Sequence, residues 1–397
     1  MEFSAEHIAY MKRALALAEQ GRGFTDPNPL VGAVIVKDGR IVGEGYHRKA
    51  GTPHAEVNAL SQALDQAMGA VMYVTLEPCS HYGRTPPCAN ALVRAGIKEV
   101  YIALEDPNPL VNGKGIAILR EAGILVHTGL LREEAENQNR VFLTNQLKKR
   151  AYIALKSAQS IDGKIGPKGG APLGITCEES RRQGHLLRRD YGAVLVGRRT
   201  VEKDDPQLNI RYGIPHPEDR PVRIVLDPHL RLSINNHMMV GNGGPVLIYT
   251  ADKVSPILHQ KIREGGGNIV TLPDKNGGID LKGLCEDLYE RGICAVLVEG
   301  GANTLTRFIR ADLWDEYHCF IAPKFLGKDG INVFDGECSE MLALHSTAQC
   351  ALCGEDIHII YRNHNDHNGE KPCSQELSKK PEASGRSEGI RLVRRSR

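Results

Sequence analysis

The stretch Glu77–Cys88 reads EPCSHYGRTPPC and directly follows the apolar run AVMYVTL. It holds two cysteines, Cys79 and Cys88, separated by a longer insert than the two to four residues common in zinc-binding pairs. Upstream, the segment HAE contributes His54 and Glu56 at the predicted start of a helix. One imidazole and two thiolates match the three protein ligands of a catalytic zinc site, which keeps its fourth position for water. The sequence therefore predicts that His54, Cys79 and Cys88 bind one Zn²⁺ per chain.

Glu56 lies two residues after His54, within reach of a water on the metal. The pattern H-x-E followed by P-C is typical of zinc deaminases, in which the glutamate transfers protons and is not a ligand. This chain departs from the pattern only in the spacing of its cysteines. Pro86 and Pro87 are expected to stiffen the return of the insert and to place Cys88 at a helix N-terminus, which favours a thiolate. The alternative, two unrelated thiols and a helix-terminal histidine, leaves the combined pattern unexplained.

The bulk composition limits the class of protein. The chain has 397 residues, enough for two domains, with 41% hydrophobic and 25% charged residues and a formal net charge of +2. Such a near-neutral chain gives no basis for a nucleic-acid-binding surface. Its ten cysteines are scattered, and its N-terminus lacks the apolar core of a signal peptide, so a reducing, cytoplasmic location is expected. No apolar run is long enough to predict a membrane span.

Hydrophobic patterning divides the chain into three segments. Residues 1–150 show a helix, a hairpin and then alternating helices and strands, and they close with one polar helix, LREEAENQNRVFLTNQLKKR; this order predicts a layered α/β domain. Residues 151–362 contain strand patterns such as GAVLVG, PVRIVLD, GPVLIYT and ICAVLVEGG with helices between several of them, which predicts a second α/β domain. Residues 363–397 are polar and rich in Ser, Pro, Glu and Lys, and they are predicted to be disordered.

Four motifs, TDPNPLVGAVIV, HAEVNAL, LEPCSHYGRTPPC and LEDPNPLVNGKG, closely resemble the bifunctional riboflavin-biosynthesis deaminase–reductase family. The resemblance covers residues 1–362, and a long insert between the two cysteines is normal in that family. It implies an N-terminal, cytidine-deaminase-like three-layer domain with zinc-dependent pyrimidine deaminase activity. It also implies a C-terminal, dihydrofolate-reductase-like α/β domain with NADPH-dependent reductase activity. The implied partner is a small pyrimidine ribotide, with no nucleic acid and no membrane, and a homo-oligomer is compatible with this reading.

By this resemblance, the deaminase substrate pocket is lined by Asn28, His47, Asp106 and Asn108. Asn28 and Asn108 lie in PNP turns, where asparagine is also common for backbone reasons alone. We further expect His81 and Arg84, within the insert, to bind the phosphorylated ligand.

In the second domain, the stretch LVEGGANTLTRFI takes a strand through Gly300 and Gly301 into a helix, a junction that suits a dinucleotide pyrophosphate but is often a simple turn. The pattern G-x-G-x-x-G is absent, so a Rossmann domain is not supported. By the resemblance, the NADPH contacts are Gln159, Gly174, Thr200, Asp204, Gly301, Ala302, Asn303, Thr304, Leu305, Thr306 and Arg307. The ribotide contacts are Lys156, Pro172, Arg188, Leu208, Arg211 and Glu299. From the residues alone, Arg188 fits a solvated helix face as well as it fits a phosphate or hydroxyl clamp.

One departure from the family concerns Pro172 and Gly174, which stand where the family carries Ser-x-Trp, so an aromatic that stacks on the cofactor is missing. The predicted function has two steps. The first is hydrolytic deamination of 2,5-diamino-6-ribosylamino-4(3H)-pyrimidinone 5′-phosphate; the second is NADPH reduction of the ribosyl group to give 5-amino-6-ribitylaminouracil 5′-phosphate. Lys156 and Glu299 are the candidate proton donors of the second step. Three alternatives stay open: a deaminase with a decayed or retuned reductase, a deaminase of bases in nucleic acid, and a zinc ion that serves structure only.

Overall fold

The structure is a computed structural model, and it describes residues 3–80, 87–108, 112–169, 173–233, 235–240, 243–251, 255–275, 277–336 and 346–363. In these ranges the chain forms two α/β units that meet near residue 150. None of the helices in the described ranges is long and apolar enough to cross a membrane.

The first unit is a mixed sheet with helices on both faces. Its strands are β1 (Gly32–Lys37), β2 (Arg40–Tyr46), β3 (Val71–Leu76), β4 (Glu99–Leu104) and β5 (Leu125–Thr128). Its helices are α1 (Ala5–Glu19), α2 (Ala55–Ala63), α3 (Cys88–Arg94), α4 (Lys114–Glu121), α5 (Arg132–Gln138) and α6 (Arg140–Lys148). The strand order is β2-β1-β3-β4-β5; β1 runs antiparallel to β2 and β3, whereas β3, β4 and β5 are parallel.

Alternation along β1 builds the two faces of this unit, since successive side chains of a strand point to opposite sides. Ala33 and Ile35 are buried in the core against α2, α3 and α4. Val34 and Val36 are buried in a second core against α1, α5 and α6. The predicted three-layer, cytidine-deaminase-like domain is therefore confirmed.

The polar segment that closes this unit forms two helices, α5 and α6, so the prediction of one continuous helix is wrong. The break falls at Asn139, which is buried and leaves helical geometry at φ −99° and ψ 18°. Its side chain bonds both backbone groups of Leu30: the Leu30 N–H donates to Oδ1 at 2.8 Å, and Nδ2 donates to the Leu30 carbonyl at 2.9 Å. These two bonds fix the loop that enters β1, and the helix is interrupted to make them.

The second unit is built on a nine-stranded sheet. Its strands are β6 (Tyr152–Ser160), β8 (Ala193–Gly197), β9 (Val222–Leu226), β10 (Val246–Ala251), β11 (Asn268–Leu272), β12 (Ala295–Val298), β13 (Glu316–Ala322), β15 (Ser346–Cys353) and β16 (Asp356–Asn363). A separate two-stranded ribbon pairs β7 (Lys164–Pro167) with β14 (Gly330–Asn332). The helices are α7 (Glu178–Tyr191), α8 (Arg198–Asp204), α9 (His237–Val240), α10 (Pro256–Glu264), α11 (Leu281–Glu290) and α12 (Ala302–Arg310).

The strand order of this sheet is β11-β10-β9-β8-β12-β6-β13-β16-β15, and all pairs are parallel except those that involve β16. Alternate residues of β12 enter opposite cores: Val296 and Val298 pack on one side, Ala295 and Leu297 on the other. Ligands of open parallel sheets bind at the carboxyl ends of the strands. By this rule, the second site is expected at the carboxyl ends of the central strands β6, β8 and β12.

Ion pairs hold the two units together. Arg140 of α6 contacts Glu316 of β13 at 3.0 Å between Nη2 and Oε2, and Arg150 contacts Asp315 at 2.6 Å between Nη2 and Oδ1. Glu316 is fully buried, and it also accepts a 2.6 Å hydrogen bond from the hydroxyl of Tyr191. Because breaking a buried charge pair leaves one charge uncompensated, this contact fixes the last helix of the first unit on the second sheet.

Candidate active sites

The first candidate site is a metal centre beyond the carboxyl end of β3, the central strand of the first sheet. His54 Nδ1 lies 3.6 Å from Cys79 Sγ and 3.3 Å from Cys88 Sγ, and the three ligand atoms all lie within 4.8 Å of one another. In a tetrahedral zinc site, with bonds of about 2.0–2.3 Å, nitrogen and sulfur ligands stand about 3.5 Å apart. The spacing and the donor set therefore fit one zinc ion.

Three different elements bring these ligands together. His54 is the N-cap residue of α2, Cys79 follows the end of β3, and Cys88 is the first residue of α3. The Cys88 N–H donates to Cys79 Sγ at 3.3 Å, a bond that favours the thiolate. The thiol of Cys88 and the ring of His54 also lower the pKa of Cys79, against the effect of burial. The two cysteines that flank the long insert thus lie after the end of β3 and at the start of α3, and both of these points adjoin the metal site.

Glu56 occupies the first turn of α2 and is buried, with 3% of its surface exposed. Burial raises its pKa to about 7, and the negative charge of Cys79 adds to the effect. A carboxyl group of this pKa both accepts and releases a proton near neutral pH, which general acid–base catalysis requires. Its position beside Cys88 places it next to the metal ligands without being one of them.

Two of the residues expected in the substrate pocket lie against the metal centre. Asn28 Nδ2 is 3.0 Å from His47 Nε2, and the ring of His47 stands edge-on to the ring of His54 at 5.5 Å between centroids. His47 Nδ1 is 3.3 Å from the carbonyl oxygen of Pro53, and burial lowers the pKa of His47. A neutral ring that donates from Nδ1 to Pro53 accepts at Nε2 from Asn28, so all these contacts are satisfied together.

The other two, Asp106 and Asn108, lie on the loop that follows β4. The Asn108 N–H donates to Asp106 Oδ1 at 2.9 Å, and the Asp106 N–H donates to Oε2 of Glu77 at 3.2 Å. Glu77 precedes the ligand Cys79 by two residues, so this loop is connected directly to the metal site. His81 and Arg84, expected to bind the phosphorylated ligand, lie outside the described residues.

The second candidate site lies at the carboxyl ends of β8 and β12, beside the middle of β6, and its centre is Glu299. Arg188 donates to both of its oxygens, from Nε at 2.6 Å and from Nη2 at 3.0 Å, and Lys156 Nζ lies 3.7 Å from Oε2. Burial opposes ionisation of Glu299, but the charges of Arg188 and Lys156 outweigh it and lower its pKa to about 2. Arg188 therefore does not form a solvated helix face, and three of the six residues expected to contact the ribotide, Lys156, Arg188 and Glu299, lie in one ionic cluster.

Two of the other three residues expected at the ribotide, Leu208 and Arg211, flank the segment that contacts this cluster. Arg188 Nη1 donates to the carbonyl oxygen of Asn209 at 2.8 Å, and the Arg211 N–H donates to His185 Nδ1 at 3.1 Å. Burial, followed by the charges of Arg188 and Arg211, lowers the pKa of His185 to about 4. Leu208 is buried in a core cluster, at a positive φ of 52°. Pro172 lies outside the described residues.

A cavity of about 880 Å³ opens beside this cluster. Seven of the eleven residues expected to contact NADPH line it: Thr200, Asp204, Gly301, Ala302, Asn303, Thr304 and Arg307. The Gly301 N–H donates to Thr200 Oγ1 at 3.2 Å, and Gly301 is the N-cap of α12, whose N-terminus favours a pyrophosphate. A Cβ at Gly300 would stand 2.6 Å from the Cβ of Thr304, so this close approach requires glycine.

The other four expected contacts lie elsewhere. Leu305 and Thr306 are buried, and Thr306 Oγ1 accepts from the Asp335 N–H at 2.8 Å. Ser157 donates to Gln159 Oε1 at 3.4 Å, and Gly174 is exposed. Sequence reasoning missed most of the basic side chains that line the cavity: Lys164, Lys168, Arg198, Arg199, Lys203, His229 and Lys328. Three of them belong to the stretch GRRTVEK, where the density of positive charge was the available signal.

The donor set of this cavity fits an anionic dinucleotide, since it combines a helix N-terminus, a threonine hydroxyl and several cations. A zinc-binding deaminase unit joined to a dihydrofolate-reductase-like unit defines a bifunctional hydrolase and oxidoreductase.

Comparison with known proteins gives the family. Residues 4–104 match the family model "Cytidine and deoxycytidylate deaminase zinc-binding region", and residues 151–359 match "RibD C-terminal domain". A relative from Aquifex aeolicus, "Riboflavin biosynthesis protein RibD", is 47% identical over 358 residues, which cover 89% of this chain and 98% of the relative. One from Escherichia coli with the same name is 42% identical over 330 residues, covering 81% and 88%.

Solved structures show the same similarity over most of the chain. Acinetobacter baumannii RibD superposes with a TM-score of 0.81 at 38% identity, covering 90% of this chain and 99% of that one. A Thermotoga maritima diaminohydroxyphosphoribosylaminopyrimidine deaminase/5-amino-6-(5-phosphoribosylamino)uracil reductase superposes with a TM-score of 0.78 at 35% identity, with the same coverage. The chain belongs to the RibD family, the bifunctional zinc-dependent deaminases and NADPH-dependent reductases of riboflavin biosynthesis.

Proposed function

We propose that the metal centre deaminates 2,5-diamino-6-ribosylamino-4(3H)-pyrimidinone 5′-phosphate, and that the second site reduces the deaminated product. The observation that carries the proposal is the juxtaposition of His54, Cys79 and Cys88 with the buried Glu56. In the first unit, Asn28, His47, Asp106 and Asn108 orient the pyrimidine ribotide.

Zinc, when bound by His54, Cys79 and Cys88, makes water a strong nucleophile near neutral pH. Glu56 accepts the proton of the attacking water, because its pKa near 7 leaves much of it ionised. It delivers this proton to the ring nitrogen, then takes the remaining proton of the added hydroxyl group and passes it to the amine, which leaves as ammonia as the carbonyl forms. His47 stays neutral and keeps its ring against the ligand His54.

In the second unit, we assign the cavity lined by Thr200 and Gly301 to NADPH, which when bound supplies the hydride. Arg188 and Lys156 hold the phosphate and hydroxyl groups of the ribotide, and Glu299 holds both cations in place. With its pKa near 2, Glu299 carries no proton at neutral pH, so Lys156 is the donor that protonates the sugar oxygen as the ring opens. Leu173, which lines the cavity and is 58% exposed, supplies apolar surface beside Gly174.

The proposed catalytic units are residues 1–150 and 151–362, with 363–397 outside both. The proposed setting is cytoplasmic, with a free ribotide rather than a nucleic acid as the substrate. The ribotide named for the T. maritima protein supports this choice. So does the formal net charge of +2, which gives little electrostatic attraction to a polyanion.

The test is a deaminase assay with the free ribotide, run with and without a large excess of single-stranded DNA or RNA. We expect ammonia release from the ribotide at a rate that the oligonucleotide leaves unchanged. Release of ammonia from the oligonucleotide, or salt-sensitive inhibition by it, would contradict the assignment of the substrate.

A further inference from the structure

Glu77 is a buried carboxylate that the chemistry above leaves without a role, with 4% of its surface exposed. Its two oxygens accept hydrogen bonds from four backbone N–H groups. Oε1 accepts from Gly115 at 2.9 Å and from Ile116 at 3.3 Å. Oε2 accepts from Gly113 at 3.0 Å and from Asp106 at 3.2 Å. Four charge-assisted bonds from one side chain tie it to two separate parts of the chain.

The first of these parts is the loop after β4, where Asp106 in turn accepts the N–H of Asn108. The second is the start of α4, where Gly113 is the N-cap residue and Gly115 and Ile116 lie in the first turn. That helix has neither a side-chain cap nor an acidic residue in its first turn. Glu77 therefore satisfies the free amides of α4 from outside the helix and brings a negative charge to its positive end.

The backbone of Glu77 lies next to the metal site. The residue directly follows β3, its N–H donates to the Leu104 carbonyl at 2.9 Å, and it precedes Cys79 by two positions. The first turn of α4 packs tightly against this segment, since a Cβ at Gly115 would overlap the carbonyl oxygen of Pro78. The loop of Asp106 and Asn108 is thus held at one fixed spacing from the metal ligand.

We propose that Glu77 is a positioning residue of the deaminase: it fixes residues 105–108 relative to Cys79 and so sets the affinity for the ribotide. This inference rests on the proposed substrate contacts of Asp106 and Asn108. A glutamine at position 77 would keep the shape but present an NH₂ group to backbone N–H donors, which disrupts the bonds on one side of the carboxylate. An aspartate would keep the charge but fall one methylene short.

The experiment compares the full chain with Glu77→Gln, Glu77→Asp and the matched control Glu121→Gln, an exposed glutamate at the end of the same helix. Deaminase kcat and KM are measured by ammonia release, zinc by elemental analysis, and reductase activity with the deaminated ribotide and NADPH. Amide hydrogen exchange is followed over residues 112–118.

For Glu77→Gln we expect KM to rise roughly tenfold or more, while kcat changes less than about threefold, because the lost bonds position substrate and not the reacting groups. Zinc stays at one per chain, reductase activity equals that of Glu121→Gln, and the amides of Gly113, Gly115 and Ile116 exchange faster. For Glu77→Asp we expect a KM between those of the unaltered chain and Glu77→Gln.

Two results would overturn the proposal. One is an unchanged KM in a zinc-loaded Glu77→Gln protein, even if its thermal stability falls, since the residue would then be structural only. The other is loss of zinc in both variants, which would make Glu77 a support of the metal. Neither is confused with a failure of the proposed function, which would show as absent ribotide deamination in the unaltered chain.

Discussion

The two sites of this chain are built in different ways. The metal centre draws its ligands from one stretch, His54 to Cys88, and its proton carrier, Glu56, from the same stretch. The reductase site assembles Lys156, Arg188 and Glu299 from three elements spread over much of the second unit, and their opposing charges stabilise one another. Catalysis at the metal centre should therefore depend on single groups. The geometry of the reductase site should depend on a network of charged side chains.

The largest expected effect tests the first half of this comparison. Glu56→Gln removes the group to which we assign proton transfer in the deaminase site, so deaminase kcat should fall by about 10²–10⁴-fold. Zinc content and reductase activity should match those of the exposed control Glu133→Gln, because Glu56 is not a ligand. Ammonia release and elemental analysis measure both. Full ammonia release by the zinc-loaded variant would mean that the metal serves structure only.

The next effect tests the network. Glu299→Gln leaves Arg188 and Lys156 without their counter-charge, and removing one partner of a buried ion pair costs about 3–5 kcal/mol. We expect the midpoint of thermal unfolding to fall and reductase kcat/KM to drop by about 100-fold, which corresponds to about 2.7 kcal/mol. Glu290→Gln, at the exposed end of α11, is the control. Unchanged reduction of the ribotide would show that the cluster does not hold the substrate.

A smaller effect is expected within the cofactor cavity. Thr200→Val keeps the shape of the side chain but removes the acceptor of the Gly301 N–H, and an unsatisfied donor costs about 1–3 kcal/mol. KM for NADPH should rise about tenfold while deamination is unaffected, with the exposed Thr271→Val as control. A rise in the KM for the ribotide instead would move Thr200 to the substrate side of the site.

The smallest effect on activity comes from a change that acts on stability alone, and it depends on pH. The pKa of His185 is about 4 in the folded chain, below its usual 6.5, so the unfolded chain binds this proton first as the solution is acidified. The free energy of unfolding should therefore fall as pH decreases from about 6.5 to 4, with His185 contributing about one proton to the slope. In His185→Asn the slope, measured by denaturant unfolding across that range, should be smaller by that amount. An equal slope would mean that the histidine titrates normally.

The same difference explains what could be predicted from the sequence. The metal ligands and Glu56 stand at spacings that local patterns reveal, and the structure brings His54, Cys79 and Cys88 together as predicted. The break between α5 and α6 was not predictable, because Asn139 leaves the helix to bond Leu30, which lies 109 residues away. Glu77 was missed for the same reason, since the backbone groups that it binds lie 29 to 39 residues further on.

In the reductase unit, the expected NADPH and ribotide contacts came from the family resemblance. The structure shows why local sequence patterns predict few of them. Lys156 lies on β6, Arg188 on α7 and Glu299 directly after β12. They meet because β6 pairs in parallel with β12 and α7 packs against β12, an arrangement that no short motif encodes. The cations along the cavity belong to several strand ends and one helix, so only the folded sheet groups them.

The central claim is that one chain carries two consecutive steps at two sites. Its most direct test is to incubate the protein with the diamino ribotide, with and without NADPH, and to identify the products by mass. We predict that the deaminated ribotide accumulates without NADPH, and that its two-hydrogen-heavier ribityl product replaces it when NADPH is present. Deamination with no NADPH-dependent second product, or no deamination at all, would contradict the account.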